Sequence, residues 1–548
     1  MNSYKGTRVF EGYALGKLVV YSDVKVEKTV GLGVEKEFAR FEKAREETIA
    51  ALDKSYMETL SKLGDKEAQL FVTHKLMAED LDFEDAVRME LENNVAAEYA
   101  VHNAGQQLAE MFASMDDAYM KERANDVREV SARIIAFLKK VDNTLALKEP
   151  SIIICDDLPS SELMKLDKSM ILGIIFVKGG SNSHVSILTR MLEIPALCSI
   201  EGLEVKDSMN NEFVILDASK GELIIDPDSK LITAYSKKKK EYEENKEKLQ
   251  AYKGKETLTL DGKKVEIYSN IASSYEVENA LRNDSEGIGL FRSEFIYLDA
   301  SDYPSEEEQF EHYKRVVEAM GNKQVIIRTL DIGADKKIDY FELPDEENPA
   351  LGFRSIRICK ERPEIFLTQL QALYRASNYG NLATMIPMII SESEIKFVHE
   401  MAKLAQENLK VRGLPFNKDM KIGIMVETPA AAIMSDVFAR QVDFFSIGTN
   451  DLSQYTLAID RVNPNLGSSF NPHHRAICRL IKMSTENAHA AGIPIGICGE
   501  LARDEKLLPF FLKIGVDELS VSPAYTLSLR EKISKIDTRE VNVEDYIN

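Results

Sequence analysis

His184 sits in the run Gly179-Gly180-Ser181-Asn182-Ser183-His184-Val185-Ser186-Ile187, between an apolar, β-branched stretch at 170–177 and a helix-compatible stretch that runs to Leu192. This order predicts a strand, a glycine turn and a helix start, with the histidine near a helix N-terminus. Two glycines let the backbone approach an anion. The free N–H groups of a first helical turn, with the hydroxyls of Ser183 and Ser186, can hold phosphate oxygens. A histidine placed there can accept a phosphoryl group covalently, while one that only caps or packs fits the same spacing. The run lacks the GxxxxGK[ST] pattern, so it gives no support to direct nucleotide binding.

A second group of residues is rich in arginine: Arg292 and Glu294 in GLFRSEF, Arg328, Asp331 and Asp335 in IIRTLDIGADK, Arg354 and Arg357 in NPALGFRSIR, and Arg461 in LAIDR. Any one of these is explained by a surface ion pair. Together, in an acidic chain, they point to a small polyanion whose phosphate and carboxylate groups match guanidinium forks. Glu427 in IGIMVETP and Asn450-Asp451 in FFSIGTND add hard oxygen ligands suited to Mg²⁺ beside a phosphorylated substrate; a buried salt bridge to an arginine is the competing account. Cys498 in GICGE reads as a buried small hydrophobe if taken alone and as a candidate acid if it ends a barrel strand.

The elements that must position these groups fall into two textures. Residues 35–141 are proline-free and helical in period, with Phe38, Phe41, Ala44, Thr48 and Leu52 on one face, and predict a helix bundle. Short β-branched runs at 7–20, 151–155, 170–177 and 212–216 predict an α/β domain into which the bundle is inserted. A Lys/Glu-rich stretch at 236–255 reads as an exposed connecting helix. Beyond it, 258–270 carries a hairpin signal around Asp261-Gly262, and eight strand–helix units follow, with strands expected at 265–270, 287–294, 324–331, 383–388, 421–427, 444–450, 494–499 and 518–521. Their number and span match a (β/α)₈ barrel, whose C-terminal strand ends form its active site; an open doubly wound sheet is the alternative. The expected fold is thus multidomain α and α/β. Residues 1–24 and 143–230 form the α/β domain with the histidine, 25–142 the helical domain, 231–257 a linker helix and 258–548 the barrel.

A chain of 548 residues needs several cores. Its net charge of −21, from 90 acidic and 69 basic residues, argues against nucleic acid or an anionic membrane as partner and favours a basic protein. Five scattered cysteines imply no disulfide framework or zinc site, and no apolar run reaches membrane-spanning length, so a cytoplasmic protein without membrane insertion is expected.

On these motifs, together with YMKERANDVREVSARII from Tyr119 and ICGELARDE, the chain resembles enzyme I of the phosphoenolpyruvate-dependent sugar phosphotransferase system over nearly its whole length. The resemblance implies autophosphorylation of His184 by phosphoenolpyruvate with Mg²⁺, release of pyruvate, and transfer to a histidine of the phosphocarrier HPr. It implies that Arg292, Arg328, Asn450, Asp451 and Arg461 contact the substrate, that Glu427 and Asp451 ligate Mg²⁺, and that Cys498 protonates the enolate. It further implies that the helical domain docks HPr, helped by acidic Glu79, Asp80, Asp82, Glu84 and Asp85, and that the barrel dimerises. The chain departs from the family pattern at Ser181-Asn182, at Pro159 within Asp157–Ser161 and around Gly12, all in the histidine domain. A pyruvate phosphate dikinase-like enzyme would need a nucleotide-binding domain where only the helical region stands, and a regulatory paralogue that mainly binds a carrier is the other rival. Swinging of the domains would require a hinge at 228–256.

Overall fold

In the N-terminal part, eight strands form one sheet: β1 (Asn2–Lys5), β2 (Thr7–Phe10), β3 (Tyr13–Val20), β4 (Ser151–Cys155), β5 (Ile171–Phe176), β6 (Ala196–Cys198), β7 (Phe213–Asp217) and β8 (Glu222–Ile225), in the order β1-β8-β7-β3-β4-β5-β6-β2. The computed structural model describes residues 2–548 except 22–25, 64, 115–117, 140–146, 157, 159–161, 164–165, 179, 181–183, 299, 301, 335, 337, 462, 464–465 and 467–469; the side chains at 58–70, 113–122, 125, 184, 187, 191 and 207 are also outside that set. The chain divides into two compact units, Met1–Glu244 and Asn245–Asn548.

β3, β4, β5 and β6 run parallel, and the isoleucine-rich β4 and β5 are buried on both faces, as central parallel strands must be. Alternation along them feeds two cores. Ile152, Ile154 and Ile175 pack with Leu197, Leu216 and Leu223 on one side; Ile153, Cys155, Ile174 and Phe176 pack with Leu163 and Val185 on the other. The strand-like stretch at 7–20, expected to turn at Gly12 and Gly16, turns only at Gly12: at φ +140° it redirects the chain so that β2 pairs antiparallel with β6 and β3 pairs with β4 and β7, while Gly16 lies inside β3.

Five long helices, Val34–Leu63, Asp65–Ala78, Leu81–Leu91, Ala97–Ser114 and Ala118–Lys139, leave the sheet after β3 and return to it at β4. Because β3 and β4 are neighbours in the sheet, the bundle is an insertion. Phe38, Phe41, Ala44, Thr48 and Leu52 are all buried, as their spacing requires. Part of the acidic stretch serves the fold: Asp80 caps the third helix, accepting from the Asp82 N–H at 2.8 Å. The helix Ser229–Leu249 is exposed along most of its length and is laced by Lys–Glu pairs at i,i+4, such as Lys237–Glu241 and Lys240–Glu244, both at 3.7 Å.

The second unit is a closed parallel barrel of eight strands: β9 (Glu266–Ile271), β10 (Gly287–Arg292), β11 (Val325–Arg328), β12 (Leu382–Ile386), β13 (Lys421–Val426), β14 (Phe445–Ile447), β15 (Ile495–Ile497) and β16 (Glu518–Val521), with β16 closing onto β9. Its lumen is filled by Leu290, Ile326, Ala383, Met385, Met425, Phe444 and Cys498, while a larger apolar layer lies between strands and surrounding helices. The hairpin expected at 258–270 reduces to a single bridge, Leu258 to Lys264, around Gly262 at φ +83°, because the second half of that stretch is taken into the barrel as β9. Several strands also stop short of the expected polar residues. Arg292 and Arg328 are the last residues of β10 and β11, whereas Asp331, Glu427, Asn450, Asp451 and Cys498 lie just beyond strand ends. All five cysteines are free and buried. Among the described residues no helix is long and apolar enough to cross a membrane.

Candidate active site

In the first unit, His184 is the first residue of the helix His184–Met191, which follows β5 through a short loop. The N-terminal placement expected from the sequence is therefore met by the backbone. The first-turn amides of such a helix favour an anion. Ser186 has a role the sequence did not give it. Its buried hydroxyl donates to the Gly180 carbonyl at 2.8 Å and ties the loop to the helix instead of standing free for phosphate. Gly179, Ser181, Asn182, Ser183, Asp157, Pro159, Ser160 and Ser161 lie outside the described residues, as does the His184 side chain.

In the barrel, the strand ends bring one set of charges together. Arg292 and Arg328 are in register on adjacent strands. Arg328 is almost fully buried; it reaches Glu294 at 2.5 Å and Asp331 at 2.9 Å, and its Nη1 approaches the Met425 sulfur at 3.8 Å. Arg354 holds the other Asp331 oxygen at 2.9 Å, with the Ser355 hydroxyl donating to the same atom. Lys336 completes the shell, 3.7 Å from Glu294 and donating to the Asp331 carbonyl at 2.8 Å. Burial alone would push the Asp331 carboxyl up, but Arg328, Arg354 and Lys336 hold it far below the usual carboxylate range.

Glu427 goes the other way. Burial, and then the charges of Asp451 and Asp331, push its carboxyl well above the usual range despite the Met388 N–H that donates to it at 2.6 Å. Its second oxygen is buried and has no hydrogen-bond partner among the described residues. Two crowded carboxylates, one with an orphaned oxygen, make a site that a hard cation would relieve. Among the described residues no three His, Cys, Asp or Glu side chains converge as a ready metal cluster, so a cation here would need ligands beyond these two.

Asp451 lies in the first turn of the helix Thr449–Leu457, directly after β14, and Asn450 accepts from the Glu500 N–H at 3.0 Å. Cys498 follows β15; it is 4 % exposed, and burial pushes its thiol up to about 12, so it is a neutral S–H at physiological pH. Arg328 and Glu427 are close enough for their charges to act on this thiol. Two expected arginines make no ion pair with the cluster among the described residues: Arg461 is exposed, its backbone N–H on Gln454 at 3.2 Å, and Arg357 is spent on the Leu351 and Gly352 carbonyls at 2.7 and 2.6 Å. Asp335 lies outside the described residues.

Three contributors were not legible in the motifs. Asn270, at the end of β9, donates to the carbonyls of Cys498 at 3.0 Å and Ser520 at 3.1 Å and so fixes the backbone that carries the thiol. Met388 and Ser355 present their groups to the carboxylates from backbone at φ +59° and +53°, a conformation costly for residues with a side chain. Asn270 had one available signal, a polar residue closing an apolar strand; the strained pair had none.

The N-terminal region 5–123 matches the family described as PEP-utilising enzyme, N-terminal; residues 147–221 match the PEP-utilising mobile domain, and residues 246–538 the PEP-binding domain. Over 98 % of its length the chain is 40 % identical to the phosphoenolpyruvate-protein phosphotransferase of Priestia megaterium and 39 % identical to that of Listeria monocytogenes, covering 94 % and 95 % of those proteins. The chain belongs to the phosphoenolpyruvate-protein phosphotransferases. The relative from Staphylococcus aureus, 38 % identical over the same share, carries the same name. As a phosphoenolpyruvate-protein phosphotransferase the chain is a transferase. Its helical insertion, α/β sheet and parallel barrel follow the order in which the three family regions occur.

Proposed function

We propose that this phosphotransferase autophosphorylates on His184 from phosphoenolpyruvate, releases pyruvate, and passes the phosphoryl group to a histidine of a small carrier of the HPr type. The observation that carries the reading is the strand-end cluster built on Arg328, with a neutral thiol at the end of β15 on the same rim of the barrel. Phosphate and carboxylate of the substrate meet Arg292, Arg328, Arg461 and Asn450, whose positive charge and N–H groups offset the substrate's anionic charge. The P–O bond to the enol oxygen breaks as a P–N bond to His184 forms, leaving enolate. Cys498 gives its S–H proton to the enolate carbon, which becomes the methyl group of pyruvate. Glu427 and Asp451 would hold Mg²⁺, which when bound neutralises phosphate oxygens.

Docking of the carrier on the helical insertion is supported by exposed Leu76, Leu81 and Met89 beside the acidic Glu79, Asp80, Asp82 and Asp85, a surface fitted to a basic protein with an apolar patch. A homodimer through the barrel and a cytoplasmic setting complete the reading. The test is incubation with phosphoenolpyruvate and Mg²⁺, with and without HPr, followed by intact mass measurement. The wild type gains one phosphoryl group and loses it to HPr, and His184→Ala gains none while still binding phosphoenolpyruvate by calorimetry. Phosphorylation of the His184→Ala protein would remove this residue from the reaction.

A further inference from the structure

Glu518 opens β16 and is 9 % exposed, with Oε1 lacking any hydrogen-bond partner among the described residues. Its carboxyl points into the barrel. A Cβ at Gly496 of β15 would fall 2.6 Å from Oε2, and one at Gly289 of β10 would strike both Oε1 and the Ser520 hydroxyl. β15 and β10 lie on opposite sides of the β16–β9 pair, so a group that meets both sits in the lumen. Two glycines thus keep open the space that a buried, unpaired carboxyl fills. Gly496 is the register partner of Glu518 and stands two residues before Cys498, so Glu518 lies below the thiol by about 7 Å of strand. Ser520 lies on the same face of β16 as Glu518, one level nearer the thiol; its hydroxyl donates to Asn270 at 2.6 Å, and Asn270 in turn holds the Cys498 carbonyl, so this side of the lumen is fixed in place.

We propose that Glu518 is an interior acid that returns a proton to Cys498 after each pyruvate is made. The inference rests on the role for Cys498 given above. Protonation of the enolate leaves a thiolate in an apolar lumen lined by Leu290, Ile326, Met385, Met425 and Phe444. The Glu518 O–H bond then breaks, its proton crosses the two levels of the lumen to the sulfur through a bridging water, and a new S–H bond forms. The carboxylate takes a proton from water at the floor of the barrel, where half-buried Glu266 accepts from the Tyr268 hydroxyl at 2.5 Å.

The charges around Glu518 favour this direction. Burial, then Glu266 on β9 and Asp517 at the entry to β16, push its carboxyl up to about 8, so it holds a proton at neutral pH, while the thiol it serves lies near 12. Tyr268 on β9 also faces it, held neutral by burial and by Glu266, and Asp517 is itself paired with His489 at 3.0 Å. β10 contributes glycine there, and Arg328 and Glu427 act on the thiol from the opposite end. Transfer from acid to thiolate is downhill.

The test is Glu518→Gln, with pyruvate release followed from the first turnover in the presence of phosphoenolpyruvate, Mg²⁺ and excess HPr. The variant should bind phosphoenolpyruvate as the wild type does and make its first pyruvate per site at the wild-type rate. Later turnovers should slow at least 10-fold, giving a burst absent from the wild type. The wild-type steady rate should fall with a midpoint near pH 8, a limb missing from the variant. Glu518→Asp should restore turnover with a shifted midpoint, and it carries the test should the glutamine protein not fold. Equal steady rates and pH profiles in wild type and Glu518→Gln, or an unshifted midpoint in Glu518→Asp, would overturn the proposal while leaving the phosphotransferase reading intact. A wild type that forms no pyruvate would instead overturn the reading beneath it.

Discussion

Cys498 and Glu518 occupy one lumen under different constraints, and each gives a measurable consequence. The thiol packs among apolar side chains, so Cys498→Ala should cost only about 1–3 kcal/mol of stability. If the S–H is the proton source, pyruvate formation should fall by about 10²–10⁴-fold while phosphoenolpyruvate still binds. A destabilised variant with normal turnover of its folded fraction would return Cys498 to a packing role. Glu518 titrates near 8 in the native chain against an ordinary value near 4.5. Between those pH values the native state keeps a proton that the unfolded chain has released, so stability falls as pH rises through that window and levels off above it. Glu518→Gln removes the penalty. Its melting temperature should exceed that of the wild type by a margin that grows from pH 5 to pH 8, with as much as ~5 kcal/mol at stake. A margin independent of pH would show that the carboxyl is not buried as an acid.

At the scale of elements, the C-terminal end of the linker is fastened to the barrel. Arg530, 2 % exposed on the helix Thr526–Ile533, donates to the Thr257 hydroxyl and the Tyr252 carbonyl, both at 3.0 Å, and pairs with Asp284, which also accepts from the Gly254 N–H at 2.7 Å. The part of the expected hinge that follows Gln250 is therefore committed to the second unit, and bending would fall earlier in the linker. Arg530→Ala removes the hydrogen bonds to Thr257 and Tyr252 and the pair with half-buried Asp284, and should cost about 1–3 kcal/mol. Amide exchange over 250–257 should rise with it. Unchanged exchange there would mean that backbone contacts alone hold the segment.

For the molecule as a whole, docking on the acidic, partly apolar helical surface of a chain with a net charge of −21 would make association with a basic carrier sensitive to salt. The association rate should drop several-fold between ~0.05 and ~0.3 M salt, with dissociation changing less, because screening acts on the approach over a Debye length of about 8–10 Å. Stopped-flow measurement at two salt concentrations checks this. A salt-independent association rate would place the docking energy in the apolar contacts alone.

What the sequence determined by itself was set by local physics. The three-and-four spacing of Phe38, Phe41, Ala44, Thr48 and Leu52 could only bury one helix face, the isoleucine runs of β4 and β5 could only be interior strands, and eight strand–helix alternations ending in polar residues could close a barrel with its chemistry at one rim. The placement of His184 at a helix start, and of Arg328, Glu427, Asp451 and Cys498 at strand ends, followed from the same periodicities. Tertiary structure decided what those residues face. Pairing of β10 with β11 brings Glu294 to Arg328, and closure of the barrel brings Asn270 to the backbone of Cys498. That closure also buries Glu518 over two glycines, because a side chain's dielectric surroundings are properties of the folded barrel and not of its neighbours along the chain.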